Sequence, residues 1–474
     1  MTTSMSATRL ASQLGAPGRS SPAYQWLADR LRGQILDGRI VVGDRVPSER
    51  TAALAFGLSR TTVTTAYTLL RAEGYLVSRQ GSNTVVALPA DAMDRPDDVT
   101  PAAPVAGGEI DLTVAALPAP PMLGALAVEA AHQLPAQLGG HGLHPMGLRP
   151  LRAAIAARFT RRGLPTTVEQ ILITQGALHG WDLVLRALLR PGDTAVVEQP
   201  TYPAVLDAAR SHSARLVPLG VGPTGWQPLR QRKGTVAPVL AHVVPEFQNP
   251  TGHRPEDAQR SALFRWLPET RVVIDETCAE LDFDTPRPPM AAADRTGTAI
   301  TVGTLSKTVW AGLRVGWIRA DAALVRRIAM LRGGQDLATP VLDQLLAVAC
   351  LDHLDEILPE RVRTLARRRD HLLAAIEHTL PDWRSTRPDG GLALWVDLGA
   401  RSSTQLALDA RGHGVRVTAG PRFSVTGTHD RFVRLPFCLP EPVLTEAVAR
   451  LGRAVSGQRA TDQDAPDPTR AWTA

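Results

Sequence analysis

The chain has 474 residues, 44% of them hydrophobic, and a net charge of +6, a length that implies about three folding units. Three scattered cysteines, Cys278, Cys350 and Cys438, argue against a disulfide framework and fit a reducing compartment. The first 20 residues lack the apolar stretch of a signal peptide, and no run approaches the ~20 apolar residues needed to span a bilayer, so a cytoplasmic protein without a membrane partner is expected. Residues 1–88 hold ten arginines against five acidic residues, +5, which leaves only +1 for the other 386. A compact basic module at one end of a nearly neutral chain points to nucleic acid, although a solvated basic face has the same composition.

In chain order the first element is an amphipathic helix. Between Tyr24 and Leu36, Trp26, Leu27, Leu31, Ile35 and Leu36 fall on one face of a 3.6-residue period. After Gly38 and Gly43 comes Val46-Pro47-Ser48-Glu49-Arg50, where Ser48 suits an N-cap because its oxygen can accept a free backbone N–H. That helix is predicted to run to about Phe56 and to turn at Gly57-Leu58. The next, capped by Ser59, carries Arg60, Thr61, Thr62 and Thr64 in its first half, and a hairpin over Leu76 to Val85 has Arg79 and Gln80 near its tip. Taken singly, each of these polar residues reads equally well as an exposed helix or hairpin position.

Together they resemble the winged helix-turn-helix of GntR-type regulators, in which Pro-Ser-x-Arg opens the middle helix and Ser-Arg-x-Thr-Val the recognition helix. The resemblance implies a DNA-binding domain over residues 20–88. It would send Ser59, Arg60, Thr61, Thr62 and Thr64 into the major groove, with Arg79 and Gln80 on the wing. Arg45 and Arg50 would meet the phosphate backbone, which positions the module without reading sequence, and Ser48 would belong to the same DNA-binding set.

Residues 89–108 are rich in Pro, Ala, Gly and Asp with almost no large apolar residue, and read as a flexible linker. From 110 to about 455, β-branched runs at Thr194–Val197, Pro238–Val244, Val272–Ile274 and Ala299–Val302 alternate with helical patterns. That alternation predicts an α/β body with a mostly parallel sheet wrapped by helices. A smaller subdomain is expected from about Thr386, within a body of residues 109–457, and 458–474 read as a disordered tail.

Of the 52 basic residues only two are lysine, Lys233 in a polar run and Lys307. A chain that uses arginine nearly everywhere keeps lysine where an amine is needed, since only the ammonium can lose its proton and form a Schiff base. Thr304, Ser306 and Arg314 flank Lys307 with hydroxyls and a cation suited to a phosphate. Upstream stand an Asn249-Pro250 turn and Asp275 at the end of Val272-Val273-Ile274, which by themselves read as a turn and a strand cap.

In this order the four residues Asn249, Asp275, Lys307 and Arg314 resemble the cofactor loop of fold-type I enzymes that use pyridoxal 5′-phosphate (PLP). The resemblance implies that Lys307 binds PLP as an aldimine, that Asn249 bonds its phenolic oxygen, and that Asp275 holds its ring nitrogen protonated so that the ring acts as an electron sink. Gln175, Gly176 and Ala177, where a strand-like run meets a helix, would receive the phosphate. Tyr202 would stack on the ring, and Arg434 would take an effector carboxylate through its bidentate fork. Two positions depart from the family pattern: Cys278 stands where a tyrosine usually tunes the cofactor, and Leu143 lies near where an aromatic usually reaches the partner subunit.

Both halves together resemble the MocR branch of GntR-type regulators. The resemblance implies a homodimer, head-to-tail, that binds operator DNA and senses PLP or an amine effector at Lys307, with slow or single-turnover transamination at most. Two rivals remain open at this stage: an aminotransferase with an accessory DNA-binding arm, and a repressor whose body only dimerises.

Overall fold

The computed structural model describes residues 7–14, 22–36, 40, 44–79, 83–87, 108–222, 225–227, 237–284 and 286–457. Gln80, the expected linker apart from Gly108, and the tail 458–474 lie outside the described residues.

The arm comprises helices α1 (Ala7–Leu14), α2 (Ala23–Leu36), α3 (Glu49–Phe56) and α4 (Arg60–Ala72), followed by a hairpin of β1 (Leu76–Arg79) and β2 (Asn83–Val86). Ser48 caps α3 by accepting the Thr51 N–H at 3.3 Å, and Ser59 caps α4 by accepting the Thr62 N–H at 3.0 Å. Gly57 ends α3 at φ 64°, in the left-handed region that glycine adopts without steric penalty. Trp26, Leu27, Leu31 and Ile35 of α2 pack on Val63, Tyr67 and Leu70 of α4, each buried aliphatic side chain contributing ~1.5–3 kcal/mol of transfer free energy. The Tyr67 hydroxyl donates to the Pro47 carbonyl at 3.0 Å and ties α4 to the start of α3. The sequence reading did not foresee α1: at eight residues it is too short to show a helical period, and Leu10 and Leu14 declare themselves only by entering the core.

In the body, β3 (Ile110–Asp111) precedes β4 (Ile171–Thr174), β5 (Thr194–Gln199), β6 (Arg215–Gly222), β7 (Gly225–Trp226), β8 (Leu240–Val243), β9 (Arg271–Asp275), β10 (Ala299–Thr304) and β11 (Gly316–Arg319). Strands β4 to β11 form one sheet in the order β4-β11-β10-β9-β8-β5-β6-β7, parallel between β10 and β6 and antiparallel at β11 and β7. Val196, Ala241, Val272 and Ile274 face one apolar layer and Ala195, Val197, Leu240 and Val273 the other. Both faces are therefore covered by helices, which is why these strands read as continuous apolar runs rather than alternating ones.

The smaller sheet joins β12 (Arg384–Ser385), β13 (Ala393–Asp397), β16 (Phe432–Pro436) and β15 (Thr418–Ala419), while β14 (Val415–Arg416) pairs in parallel with β3. This corrects the expectation of a purely C-terminal subdomain from about Thr386. Its core also takes in Ile110, Leu112 and Leu117 from the start of the body, and Leu365, Leu372 and Ile376 of the helix Leu354–Thr379. That helix belongs to both cores, since Leu354 and Ile357 pack on the large sheet. The arm meets the body where Arg30 of α2 pairs with Asp430 at 3.0 Å. Gly33 lies so close to Thr404 that a Cβ there would come within 2.4 Å of its Cγ2.

Candidate cofactor site and DNA-reading face

The loop after β10 is shaped by its own hydroxyls. Thr304 donates to the Val315 carbonyl at 2.7 Å and accepts the Ser306 N–H at 3.1 Å, and the two hydroxyl oxygens lie 2.9 Å apart. The lysine Nζ donates to the Ala115 carbonyl at 2.8 Å. Burial pushes the lysine pKa down, so a larger fraction of the amine is neutral and nucleophilic than for a solvated lysine.

Arg314 adopts φ 50° and donates to the Gln175 carbonyl at 2.8 Å, which brings the loop against the turn Gln175-Gly176-Ala177. Gly176 has φ 99°, a conformation that L side chains rarely adopt, and a Cβ there would lie 2.9 Å from Arg314 Nη2. The helix Ala177–Leu188 begins at this turn, and the N–H groups at a helix N-terminus suit an anion, as does the Arg314 guanidinium beside it. His179 supports the turn by accepting the Gln175 N–H on Nδ1 at 3.0 Å. That bond needs the neutral ring, and burial indeed lowers the His179 pKa.

On the sheet side, Asp275 ends β9 with Oδ1 accepting the Thr277 N–H at 2.8 Å and Oδ2 3.9 Å from His242 Nε2. His242 is buried in β8 edge-on to Trp181 at 4.8 Å, and burial lowers its pKa. Asn249 accepts a hydrogen bond from Arg434 Nη1 at 3.3 Å. Its neighbour Gln248 donates to Glu198 at 3.0 Å and to the Pro200 carbonyl at 2.7 Å, fixing the Asn249 turn to the segment that leads to Tyr202. Tyr202 stands at the N-cap position of the helix Pro203–Ser211, without a side-chain capping bond, and is 39% exposed.

Arg434 is buried, its guanidinium 5.2 Å over the Phe423 ring, and it also donates to the Thr113 carbonyl. Cys278 lies near Lys307, and burial pushes its thiol pKa up to about 12, which leaves a neutral group where a tyrosine would donate. Leu143 is 46% exposed. His242, Phe423, Thr113 and Ala115 were missed by sequence reasoning. A buried histidine in an apolar strand was the one available signal, whereas the carbonyls of Thr113 and Ala115 have none.

In the arm, Ser59, Arg60 and Thr61 at the start of α4 are exposed, as are Ser48, Arg45 and Arg50, while Thr62 is half-buried. Thr64 is turned inward and donates to Glu49 at 2.8 Å, so its hydroxyl fastens α4 to α3 rather than facing outward with Arg60. Thr65, which the sequence reading did not single out, is the exposed neighbour one turn beyond Thr61. Arg79 lies at the end of β1.

Residues 126–451 match the family model for aminotransferase class I and II, and residues 23–86 that for bacterial regulatory proteins of the gntR family. The HTH-type transcriptional regulator YdcR of Escherichia coli is 30% identical over 87% of this chain and 94% of its own. The probable rhizopine catabolism regulatory protein MocR of Rhizobium meliloti is 30% identical over 79% of this chain and 81% of its own. Among solved structures, the α-aminoadipate aminotransferase LysN of Thermus thermophilus, complexed with N-(5′-phosphopyridoxyl)-L-leucine, is 29% identical, with a TM-score of 0.66 over 74% of this chain and 93% of that one. The chain thus belongs to the aminotransferase class I and II family and, with its gntR-family DNA-binding arm, to the MocR-type regulators.

Proposed function

We propose that this protein is an effector-controlled transcription regulator whose body holds PLP at Lys307 and whose arm reads operator DNA through the first turns of α4. The observation that carries the proposal is that a largely buried lysine amine lies near Asp275 and Arg434, with Asn249 bonded to Arg434, on a loop whose Arg314 packs on the Gln175-Gly176 turn, in a chain that also carries an exposed Ser59-Arg60-Thr61 face. The residues suit PLP: the Gly176 turn with Arg314 and Ser306 fits its phosphate, Asp275 its ring nitrogen and Tyr202 a ring face. When bound, PLP supplies an aldehyde for an amine and a ring that withdraws electrons.

Around it the chain's own groups divide the work. Arg434 orients a carboxylate-bearing amine, Asn249 aligns the ring oxygen, and Phe423 closes the apolar side beneath the guanidinium. A carboxylate suits Arg434 because two parallel N–H bonds meet its two oxygens. Effector binding shifts the relation between arm and body only to the extent that one arrangement binds it better. We further assign residues 20–88 to DNA binding, and expect a head-to-tail homodimer.

Incubation of the purified protein with PLP should produce the visible absorbance of lysine-bound cofactor, and Lys307→Ala and Lys307→Arg should abolish it. A band retained in Lys307→Arg would remove Lys307 from its role. Sustained turnover with an amino donor and a 2-oxo acid at ~10 per second, as is typical of enzymes, would instead favour an aminotransferase with an accessory arm.

A further inference from the structure

Gln175 opens the turn that leads into the helix Ala177–Leu188, and its backbone and side-chain donors are both engaged. Its N–H goes to His179 Nδ1 at 3.0 Å, and its side-chain Nε2 donates to Asp336 Oδ2 at 3.3 Å. Because Nδ1 accepts, the neutral His179 ring carries its proton on Nε2, which lies 3.7 Å from the same Asp336 oxygen. Four residues separate Gln175 from His179, about one helical turn, so the helix closes this bond on its own N-terminal end. The N–H groups of Gly176 and Ala177 stand ahead of the first bond of the helix, from the Gly180 N–H to the Gly176 carbonyl at 3.1 Å, and have no partner within it.

Asp336 reaches the turn from the loop between the helices Ala322–Leu331 and Val341–Asp352. That loop is fastened by Arg332, which is fully buried and donates to the Pro145 and Ile173 carbonyls, each at 2.7 Å, and to Asp336 through Nε at 2.9 Å and Nη2 at 2.6 Å. A buried guanidinium is costly without its partners, so Asp336 stays with Arg332. Beside it, Gln335 donates to Asp182 at 3.0 Å, and Asp182 follows His179 by three residues on the same helix face. Two consecutive loop residues are thus seated on one face of the helix. None of these bonds uses Lys307, Arg434 or the N–H groups of Gly176 and Ala177, so a phosphate can reach the turn without breaking one.

We propose that His179 and Asp336 lock Gln175 as the keystone of the phosphate turn, so that Gln175 shapes the turn while the N–H groups of Gly176 and Ala177, with Arg314, receive the phosphate. This rests on the cofactor assignment above and refines it, since the sequence reading places Gln175 itself among the phosphate ligands. Converging N–H groups hold a dianion well only when they are in place before it arrives, because ordering a loose turn would consume part of the binding free energy. His179 and Asp336 are positioning residues: they touch no ligand and act through Gln175.

The test uses the full chain with two probes, PLP and pyridoxal, which has the same ring and aldehyde without the phosphate. Affinities are read from the visible band of lysine-bound cofactor, and melting temperatures report folding. His179→Leu removes the acceptor of the Gln175 N–H, Gln175→Leu removes the bond to Asp336, and His179→Gln keeps an acceptor oxygen one turn from Gln175. His179→Leu and Gln175→Leu should each weaken PLP about five- to tenfold, as loss of a hydrogen bond does, and leave pyridoxal within about twofold. His179→Gln should recover most of the PLP affinity. Hydrogen exchange at the Gln175 amide should be slow in the wild type with and without PLP, and fast in His179→Leu.

Equal losses for PLP and pyridoxal would show that these residues support the whole site rather than the phosphate turn, and would overturn the proposal. So would a His179→Gln variant that melts like the wild type yet binds PLP as weakly as His179→Leu. The exchange comparison on the wild type needs neither a variant nor pyridoxal: a Gln175 amide protected only when PLP is bound would make Gln175 a phosphate ligand, and one released by PLP would remove the lock from the occupied site. A wild type that shows no visible band with PLP would instead bring down the cofactor assignment and the lock with it.

Discussion

At the scale of single residues, the site is set by what burial does to charge. Asp275 is proposed to meet a ring nitrogen, and a hydrogen bond to a charged group is worth ~1.5–3 kcal/mol. Asp275→Asn should therefore keep the visible band of lysine-bound PLP while weakening its binding roughly ten- to a hundredfold, read from an absorbance titration; unchanged affinity would mean that Asp275 only caps β9. Glu198 gives a pH signature. It is fully buried beneath Tyr202's segment, and burial pushes its pKa up from 4.5 to about 8 against hydrogen bonds from Gln248 and Trp226. Between those values the folded chain holds a proton that the unfolded chain has released, so this group's stabilisation is complete below about pH 4.5 and is lost as pH rises through about 8. Melting temperatures of the wild type should fall across that window by more than those of Glu198→Gln, whose amide does not titrate. Parallel pH profiles would show that Glu198 is not the group responsible.

At the scale of elements, the residues proposed to read bases and the residue proposed to position the arm lie on different elements. Ser59 caps the helix, so Arg60 and Thr61 stand at its exposed N-terminal end, whereas Arg45 lies beside the hairpin, bridged to Val85. Arg60→Ala should lose ~1–3 kcal/mol of discrimination between operator and random duplex if Arg60 makes a bidentate base contact. Arg45→Ala should weaken both and lower the slope of log affinity against log salt by about one, as loss of one phosphate contact does. Titrations at several salt concentrations distinguish the two, and identical effects of both variants would refute the division. Thr64 behaves differently, because its hydroxyl bond to Glu49 makes it part of the α3–α4 joint. Its position in the motif was legible in the sequence but its direction was not, since the direction depends on where α3 packs.

At the scale of the whole molecule, arm and body touch through a contact suited to release. The Arg30–Asp430 pair is partly exposed, 38% and 31%, and such pairs contribute only ~0–1 kcal/mol and are screened by salt. The Gly33–Thr404 approach adds close packing. An arm so held can leave its body and bind DNA in pairs, provided that two bodies dimerise. Residues 1–88 alone should then bind an operator about 10²–10⁴-fold more weakly than the full chain, because the second arm of a dimer acts at a high effective concentration. Equal affinities at equal salt would mean that the body does not organise DNA binding.

The sequence by itself determined what depends on neighbours in the chain. Caps at Ser48 and Ser59, the apolar stripe of α2, the hairpin, and the order Asn249, Asp275, Lys307, Arg314 all follow from spacing and residue type, because capping and helical periodicity act within a few residues. It also selected Lys307, since only two lysines compete for the amine's role, but it had less power to select Arg434 from 50 arginines. Arg260, Arg319, Arg332, Arg361 and Arg369 are buried as well, and tertiary structure distinguishes Arg434 by bringing it to Asn249 and near Lys307. Only tertiary structure, too, brought His242 to Asp275, gave Ile110 and Leu112 to a subdomain that the chain otherwise completes some 270 residues later, and laid the carbonyls of Thr113 and Ala115 on Arg434 and Lys307. Every residue has a carbonyl, so nothing in the side-chain sequence marks which two will meet a cation; that is decided by the packing of Leu112 and Leu117 into a core built from the far end of the chain.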